Sequence, residues 1–196
     1  MAINLTEVTK LREACGAGMM DCKKALEEAG GDFDKAIEVL RKKGAATASK
    51  RAERVAKEGI IVSYIHNGRI GALLELNCET DFVALNDDFK QLASDLAMHV
   101  TAANPEYVSP EDVPAEVVAK EREIEEAQLA ESKKPKEVMD KILEGKIQKF
   151  YSQVCLTKQA FVKNPDITVE DLINDKTAAI GEKLVVRRFV RFELGK

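Results

Sequence analysis

Residues 60–76 have the sequence IIVSYIHNGRIGALLEL, which predicts a β-hairpin. The turn is Asn67-Gly68, a pair typical of two-residue hairpin loops because both residues tolerate positive φ. β-branched and aromatic residues precede this turn, and a second apolar run follows it. Both faces of the hairpin carry apolar side chains, so we expect helices or another subunit to cover both of them.

A third strand is predicted at the end of the chain, in residues 184–194, LVVRRFVRFEL. Strict alternation along this strand places on one face Leu184, Val186, Val190 and Phe192, and on the other Val185 and Phe189. We expect the strand to join the hairpin in a sheet of three antiparallel strands.

Three short helices are predicted before the hairpin, in residues 1–44. Asn4 and Asp32 are typical N-cap residues, and Gly44 is a typical helix end. Between the first two helices lies the sequence GAGMM, residues 16–20. We expect one of its methionines in the core and the other exposed and adaptable, and the alternative is that both serve the core.

Further helices are predicted after the hairpin, beginning near Asn86, Pro114, Pro135 and Thr168. The fold class is therefore α+β, with an N-terminal three-helix bundle followed by a core of three antiparallel strands with packed helices.

The chain divides into a three-helix domain (1–46), a basic linker (47–57) and an α+β core (58–196) on this pattern. Lys50, Arg51 and Arg54 give the linker its charge. They form either a solvated face or a contact strip for an acidic partner.

The composition argues against several classes of protein. The 196 residues carry a net charge of -4, which does not favour binding to nucleic acid. No apolar run approaches the roughly 18 residues of a transmembrane helix, and the N-terminus lacks a signal-peptide pattern. We therefore expect a cytoplasmic protein with no membrane partner. The four cysteines are scattered without a C-x-x-C pair, so we expect free thiols and no metal site.

The motifs of common enzyme classes do not occur in the sequence. It has no G-x-x-x-x-G-K-[ST] phosphate loop, no G-x-G-x-x-G after a strand and no G-x-S-x-G elbow. Cys78 is a poor nucleophile candidate, because the neighbouring acids Glu79 and Asp81 raise a thiol pKa. We expect no catalytic residue, no cofactor and no enzymatic activity. A hydrolase using Glu79 or Asp81 as base near His66 or His99 is a competing hypothesis.

Residues 77–84, NCETDFVA, place an acid beside a bulky aromatic residue between a strand and a helix. Loops held by a rigid sheet commonly carry recognition, and an exposed Phe82 would fit a hydrophobic pocket of a partner. Alternatively, Phe82 packs under the following helix while Asp81 caps a backbone amide. The residues alone do not decide between the two.

Three segments resemble motifs of the elongation factor Ts family, whose members release GDP from the translation GTPase elongation factor Tu. They are LREACGAGMMDCKKAL (11–26), ELNCETDFVA (75–84) and RFVRFELG (188–195). The segments occur in the order of the family's motifs, and the resemblance covers essentially the whole chain.

The resemblance implies a mechanism as well as a partner. Asp81 and Phe82 would enter elongation factor Tu near its magnesium site, displace the groups that hold the ion and so release GDP. Thr80 and Val83 would complete this loop. Leu85 departs from the family's pattern, in which a basic or small residue follows the TDFVA run.

The resemblance also implies that the N-terminal domain is ubiquitin-associated-like and docks on the nucleotide-binding domain of the partner. Leu11, Met19 and Met20 would supply that contact. The chain is as short as the family members with a single three-stranded core, whose exposed sheet face a second subunit covers, so a homodimer is expected. The alternative function is an adaptor or scaffold whose three-helix domain binds other proteins without any exchange activity.

Overall fold

The structure, a computed structural model, describes residues 4–130 and 135–196. The chain forms two compact units, one containing the residues up to Thr101 together with Glu170–Lys196, and the other Ala102–Val169. The helices are α1 (Leu5–Cys15), α2 (Met19–Glu28), α3 (Phe33–Arg51), α4 (Asp81–Ala84), α5 (Asp87–Ala103), α6 (Ala115–Ala130), α7 (Lys136–Val154) and α8 (Val169–Ile180). The strands are β1 (Glu58–His66), β2 (Ile70–Cys78), β3 (Ala160–Phe161), β4 (Asn164–Thr168) and β5 (Val185–Glu193).

The first three helices form the predicted bundle. Asn4 and Asp32 cap α1 and α3, because their side-chain oxygens accept hydrogen bonds from the N–H groups of Thr6 and Lys35, both at 3.1 Å. A common apolar core joins the three helices: Val8, Leu11, Cys22, Ala25, Leu26, Ala36 and Leu40.

The prediction that Gly44 ends the third helix is wrong. Helix α3 continues through Gly44 to Arg51, and Gly44 is buried inside it. A β-carbon at this position would lie 3.1 Å from Asp175 Oδ1, so the glycine serves a close contact with α8. The domain boundaries at residues 46 and 57 stay a prediction.

The three-stranded sheet is confirmed, with the order β1-β2-β5 and antiparallel pairing throughout. Asn67 and Gly68 form the hairpin turn with φ of 51° and 66°, as the Asn-Gly pair predicts. Helices lie before the strands and between them along the chain, and the fold class is therefore α+β.

Strict alternation along the last strand is wrong, since the register against β2 shifts between Glu75 and Leu76. Leu76 pairs with Val186 whereas Glu75 pairs with Arg188, so β5 has one extra residue in a bulge. The bulge moves Val186 to the buried face, together with Leu184. It leaves Val190 and Phe192 exposed on the opposite face.

The second unit contains α6 and α7, which pack against each other, and a small sheet of β3 and β4. Residues 153–166 include the end of α7, a 3-10 turn (Leu156–Lys158) and part of this small sheet. Within the described ranges, no helix has the length and apolar character needed to cross a membrane.

Candidate functional site

The candidate site is the single turn of helix α4, which leaves the sheet where β2 ends. Only Glu79 and Thr80 separate Cys78, the last residue of β2, from α4. The turn packs against both β1 and β2 and is anchored by Ala84, which is 8% exposed. The sheet therefore presents the side chains of this turn from a fixed base.

Phe82 lies on the outside of this turn, with 81% of its surface exposed. Asp81 and Thr80 beside it are also exposed, and Val83 is half-buried. The alternative in which Phe82 packs under the following helix is therefore wrong. An exposed phenylalanine forgoes roughly 2 kcal/mol of the free energy that its burial would contribute to folding. Such exposure is expected of a residue that contacts a partner and not of a core residue.

Leu85 follows three residues after Phe82 and is 70% exposed. Both residues are apolar and exposed, and they precede α5, where Asn86 Oδ1 accepts a hydrogen bond from Asp88 N–H at 2.7 Å. Leu85 is thus a candidate contact residue that stands beside the predicted set.

Glu79, directly before the turn, is held by three donors. Its Oε1 accepts hydrogen bonds from Lys183 N–H at 2.7 Å and from the Arg51 guanidinium at 3.0 Å. Its Oε2 accepts one from Arg54 at 2.9 Å. Partial burial alone would raise the pKa of Glu79, but these donors outweigh it and hold the pKa below its usual value.

Arg51 and Arg54 therefore contact an acid of their own chain. The two interpretations of the basic linker, a solvated face or a strip for an acidic partner, both overlooked Glu79. No sequence signal could identify this pairing, because Arg51 and Glu79 are 28 positions apart and belong to different elements.

The arrangement does not support hydrolysis at this place. Glu79 is a poor general base, because its depressed pKa makes it a weak proton acceptor and its oxygens are already engaged by hydrogen bonds. His66 pairs with Ile70 at the opposite end of the hairpin from Cys78, a separation of roughly 26 Å along the strand. Burial, together with the nearby Glu182 carboxylate, raises the pKa of the Cys78 thiol to about 11.

The second predicted contact involves Leu11, Met19 and Met20. Both methionines are exposed, Met19 at 38% and Met20 at 63%, at the start of α2. The expectation that one of them lies in the core is wrong. Leu11 has no exposed surface, so any contribution it makes to docking comes through holding α1 in the bundle.

Comparison with known proteins decides the family. The sequence profile of the family described as Elongation factor TS matches residues 24–196. The chain belongs to this family. It is similar to the elongation factor Ts of Thermodesulfovibrio yellowstonii, with 57% identity over 100% of the chain and 98% of that relative.

Two further elongation factor Ts sequences agree with this family membership. The chain is 60% identical to that of Carboxydothermus hydrogenoformans over 96% of its length and 88% of the relative's. It is 60% identical to that of Moorella thermoacetica over 99% and 96%. Membership of the family supports a role as a translation elongation factor, and the profile covers the whole of the α4 turn.

Proposed function

We propose that this protein is a guanine nucleotide exchange factor for elongation factor Tu. The observation that carries the proposal is Phe82, which is 81% exposed on a turn fixed to the sheet. Phe82 enters between structural elements of the GTPase and Asp81 accompanies it, with Thr80 and Val83 shaping the turn. This function places the protein in the cytoplasm and needs neither nucleic acid nor a membrane.

The proposed target of the wedge is the magnesium ion that the GTPase holds against the phosphates of GDP. Magnesium requires near-ideal octahedral geometry, so moving its ligands by about an ångström is enough to loosen it. Once the ion is lost, the phosphate charge is poorly neutralised and GDP dissociates. The exchange factor makes and breaks no covalent bond, and it is not an enzyme in this proposal.

Binding of the exchange factor to the GTPase is thermodynamically linked to binding of the nucleotide. The exchange factor and GDP each weaken the binding of the other to the GTPase by the same factor. Binding of the factor therefore lowers the affinity of the GTPase for GDP, and binding of GTP then displaces the factor.

The N-terminal bundle supplies a second contact in this proposal, and we infer that it is a ubiquitin-associated-like domain. Met19 and Met20 are exposed next to each other at the start of α2. Methionine is flexible and polarisable, which suits a docking surface. The bundle binds the nucleotide-binding domain of elongation factor Tu, while Leu11 holds α1 in place beneath these residues.

Release of a fluorescent GDP from elongation factor Tu, followed by stopped flow, tests the function. The wild type should accelerate release, and Phe82→Ala should slow the accelerated rate about 30-fold, since truncating a central contact costs about 2 kcal/mol. Val162→Ala, which alters a 46% exposed side chain of the second unit, is the control and should match the wild type. No acceleration by the wild type would reject the proposal.

The exposed methionines would equally suit an adaptor that lacks exchange activity. Capture of binding partners from a bacterial lysate separates the two functions. Elongation factor Tu should dominate the captured proteins if the exchange function is right, and its absence would favour the adaptor.

We also propose that the open face of the sheet forms a homodimer. Five large apolar residues on this face are 43% to 69% exposed: Ile61, Ile65, Leu73, Val190 and Phe192. Several of them are neighbours across the strands. Leu73 pairs with Val190 of β5, and Gly71 pairs with Ile65 on one side and with Phe192 on the other. A second copy supplies the same rows across a twofold axis, so apolar rows meet apolar rows.

A further inference from the structure

The carboxylate of Glu182 holds the segment that connects β2 to the α4 turn. Its Oε2 accepts hydrogen bonds from the backbone N–H groups of Glu79 at 3.1 Å and Thr80 at 3.0 Å. Its Oε1 accepts a third from Thr80 Oγ1 at 2.7 Å. The segment contains only these two residues, so one side chain engages both of its N–H groups.

The hydrogen bond from the Thr80 hydroxyl to Glu182 replaces a local N-cap hydrogen bond that the α4 turn could have made. Thr80 is the N-cap residue of α4, where a threonine oxygen usually accepts from an N–H of the first turn. Here the Thr80 side chain makes no such bond, and its hydroxyl donates to Glu182 instead. A helix of four residues has little stability of its own, so its direction depends on contacts outside the helix.

Glu182 is in place because the chain reverses sharply after α8. Gly181 has φ of 84° and its N–H donates to Thr177 O at 2.9 Å, which ends the helix. Lys183, which follows Glu182 directly, reaches towards the end of α3. Its Nζ donates hydrogen bonds to the carbonyl oxygens of Ala52 and Arg54. The turn at Glu182 and Lys183 thus ties the α4 segment and the end of α3 to each other.

We propose that Glu182 is a positioning residue for nucleotide release, which fixes the direction in which Asp81 and Phe82 leave the sheet. This inference rests on the exchange function proposed above. Glu182 acts through the backbone of Glu79 and Thr80, without touching the partner. Without its carboxylate the N–H groups of Glu79 and Thr80 lose their acceptor, so the segment is held by fewer contacts, among them those of the Glu79 side chain and Ala84. Phe82 then meets the GTPase at variable angles. Misplacement of a reacting or wedging group by about an ångström can cost up to about 100-fold in rate.

Exchange kinetics with Glu182→Ala and Glu182→Gln test the inference. Glu144→Ala is the matched control, because Glu144 is an exposed carboxylate 3.6 Å from Arg122 in the second unit. GDP release from elongation factor Tu is measured against the concentration of each variant, which separates the maximal rate from the half-saturating concentration. Thermal unfolding of each variant checks that the fold is retained.

We expect Glu182→Ala to lower the maximal rate about tenfold, the loss expected for hydrogen bonds to a charged group. The half-saturating concentration should change less than about twofold, because Met19 and Met20 still dock. Glu182→Gln should recover part of the rate, since its amide oxygen still accepts from the backbone, and Glu144→Ala should match the wild type. A wild-type maximal rate for Glu182→Ala, or an effect on half-saturation alone, would overturn the inference.

A measurement without the partner separates this inference from the exchange function. The chain contains no tryptophan, so Phe82→Trp introduces a single indole on the turn. Time-resolved anisotropy of the free protein should show the indole moving mainly with the whole molecule. Adding Glu182→Ala should transfer much of the decay to a fast local motion. An unchanged decay would overturn the positioning role even if the protein proved inactive in exchange, whereas an inactive wild type alone would reject only the exchange function.

Discussion

Asp175 lies directly against Gly44, where a β-carbon would be 3.1 Å from the Asp175 carboxylate oxygen. The backbone carbonyl of Asn174 is also near, at 3.5 Å from the same position. Burial in this contact raises the pKa of Asp175 to about 6, with Asp171 adding to the rise and Arg41 opposing it. The carboxylate is therefore destabilising when it is ionised.

Asp175→Asn should stabilise the protein at alkaline pH and much less at acidic pH. Because the folded-state pKa of about 6 exceeds the ordinary 3.8, the folded chain binds this proton more tightly than the unfolded chain. The associated stability is complete below the ordinary pKa and is lost as the pH rises through 6. We expect a gain of about 1 kcal/mol at about pH 8, reduced for partial exposure, from urea unfolding.

The exposed Asp140, on α7, provides the control for this effect. Asp140→Asn should have close to the wild-type stability, because exposed surface substitutions change it little. A gain for Asp175→Asn that does not grow with pH would contradict a role for its ionisation.

Local signals were enough to predict much of the fold. The hairpin follows from Asn67-Gly68 and the flanking apolar runs, which depend on neighbours in sequence. Gly44 misled the prediction because its role is tertiary: the same glycine that ends many helices here admits Asp175. The bulge in β5 was equally hidden, because a register shift depends on the partner strand.

The sequence predicted which residues form the candidate site, but not the contacts that hold them in place. The TDFV residues stood out as an acid and an aromatic side by side, but only coordinates reveal that Phe82 is exposed. Glu182 lies 102 positions after Thr80, in a turn with no motif of its own. Contacts between such distant residues depend on how the elements fold together, and a single sequence carries no signal for them.

Gly59→Ala should strongly destabilise the hairpin. Gly59 has φ of 151°, which side-chain-bearing residues rarely adopt, and a β-carbon would overlap Leu76 O and lie 2.8 Å from Asn77 Cα. We expect a loss of about 3 kcal/mol in the free energy of unfolding, measured with urea. Gly145→Ala is the control: it lies inside α7 with open space around it, and should gain up to about 1 kcal/mol. Equal stability of the two variants would contradict the close approach.

Met20→Ala should weaken docking without slowing the maximal exchange rate. Met20 is 63% exposed, and it is proposed to contact the partner before and after GDP leaves. Loss of such uniform binding raises the half-saturating concentration, here about tenfold, and spares the maximal rate. The measurement is the concentration dependence of GDP release; a lower maximal rate with unchanged half-saturation would place Met20 in the wedge step instead.

Leu11→Ala should behave differently, because Leu11 is fully buried in the bundle. We expect a loss of about 3 kcal/mol in stability from the cavity. Calorimetry of Leu11→Ala and Met20→Ala distinguishes the two roles, since Met20→Ala should unfold close to the wild-type temperature. Similar unfolding temperatures for all three proteins would show that Leu11 does not support the bundle.

Phe192→Lys should convert the proposed dimer into a monomer. Phe192 is 66% exposed on the open face, and a lysine there would place two like charges near the twofold axis of an apolar interface. Sedimentation velocity at micromolar concentration should give a dimer for the wild type and a monomer for this variant. Val162→Lys, at an exposed apolar residue of the second unit, should remain a dimer, because Val162 belongs to none of the three strands of this sheet. A wild type that sediments as a monomer at this concentration would reject the dimer. The five exposed apolar side chains of the open face would then remain in contact with water in the free protein.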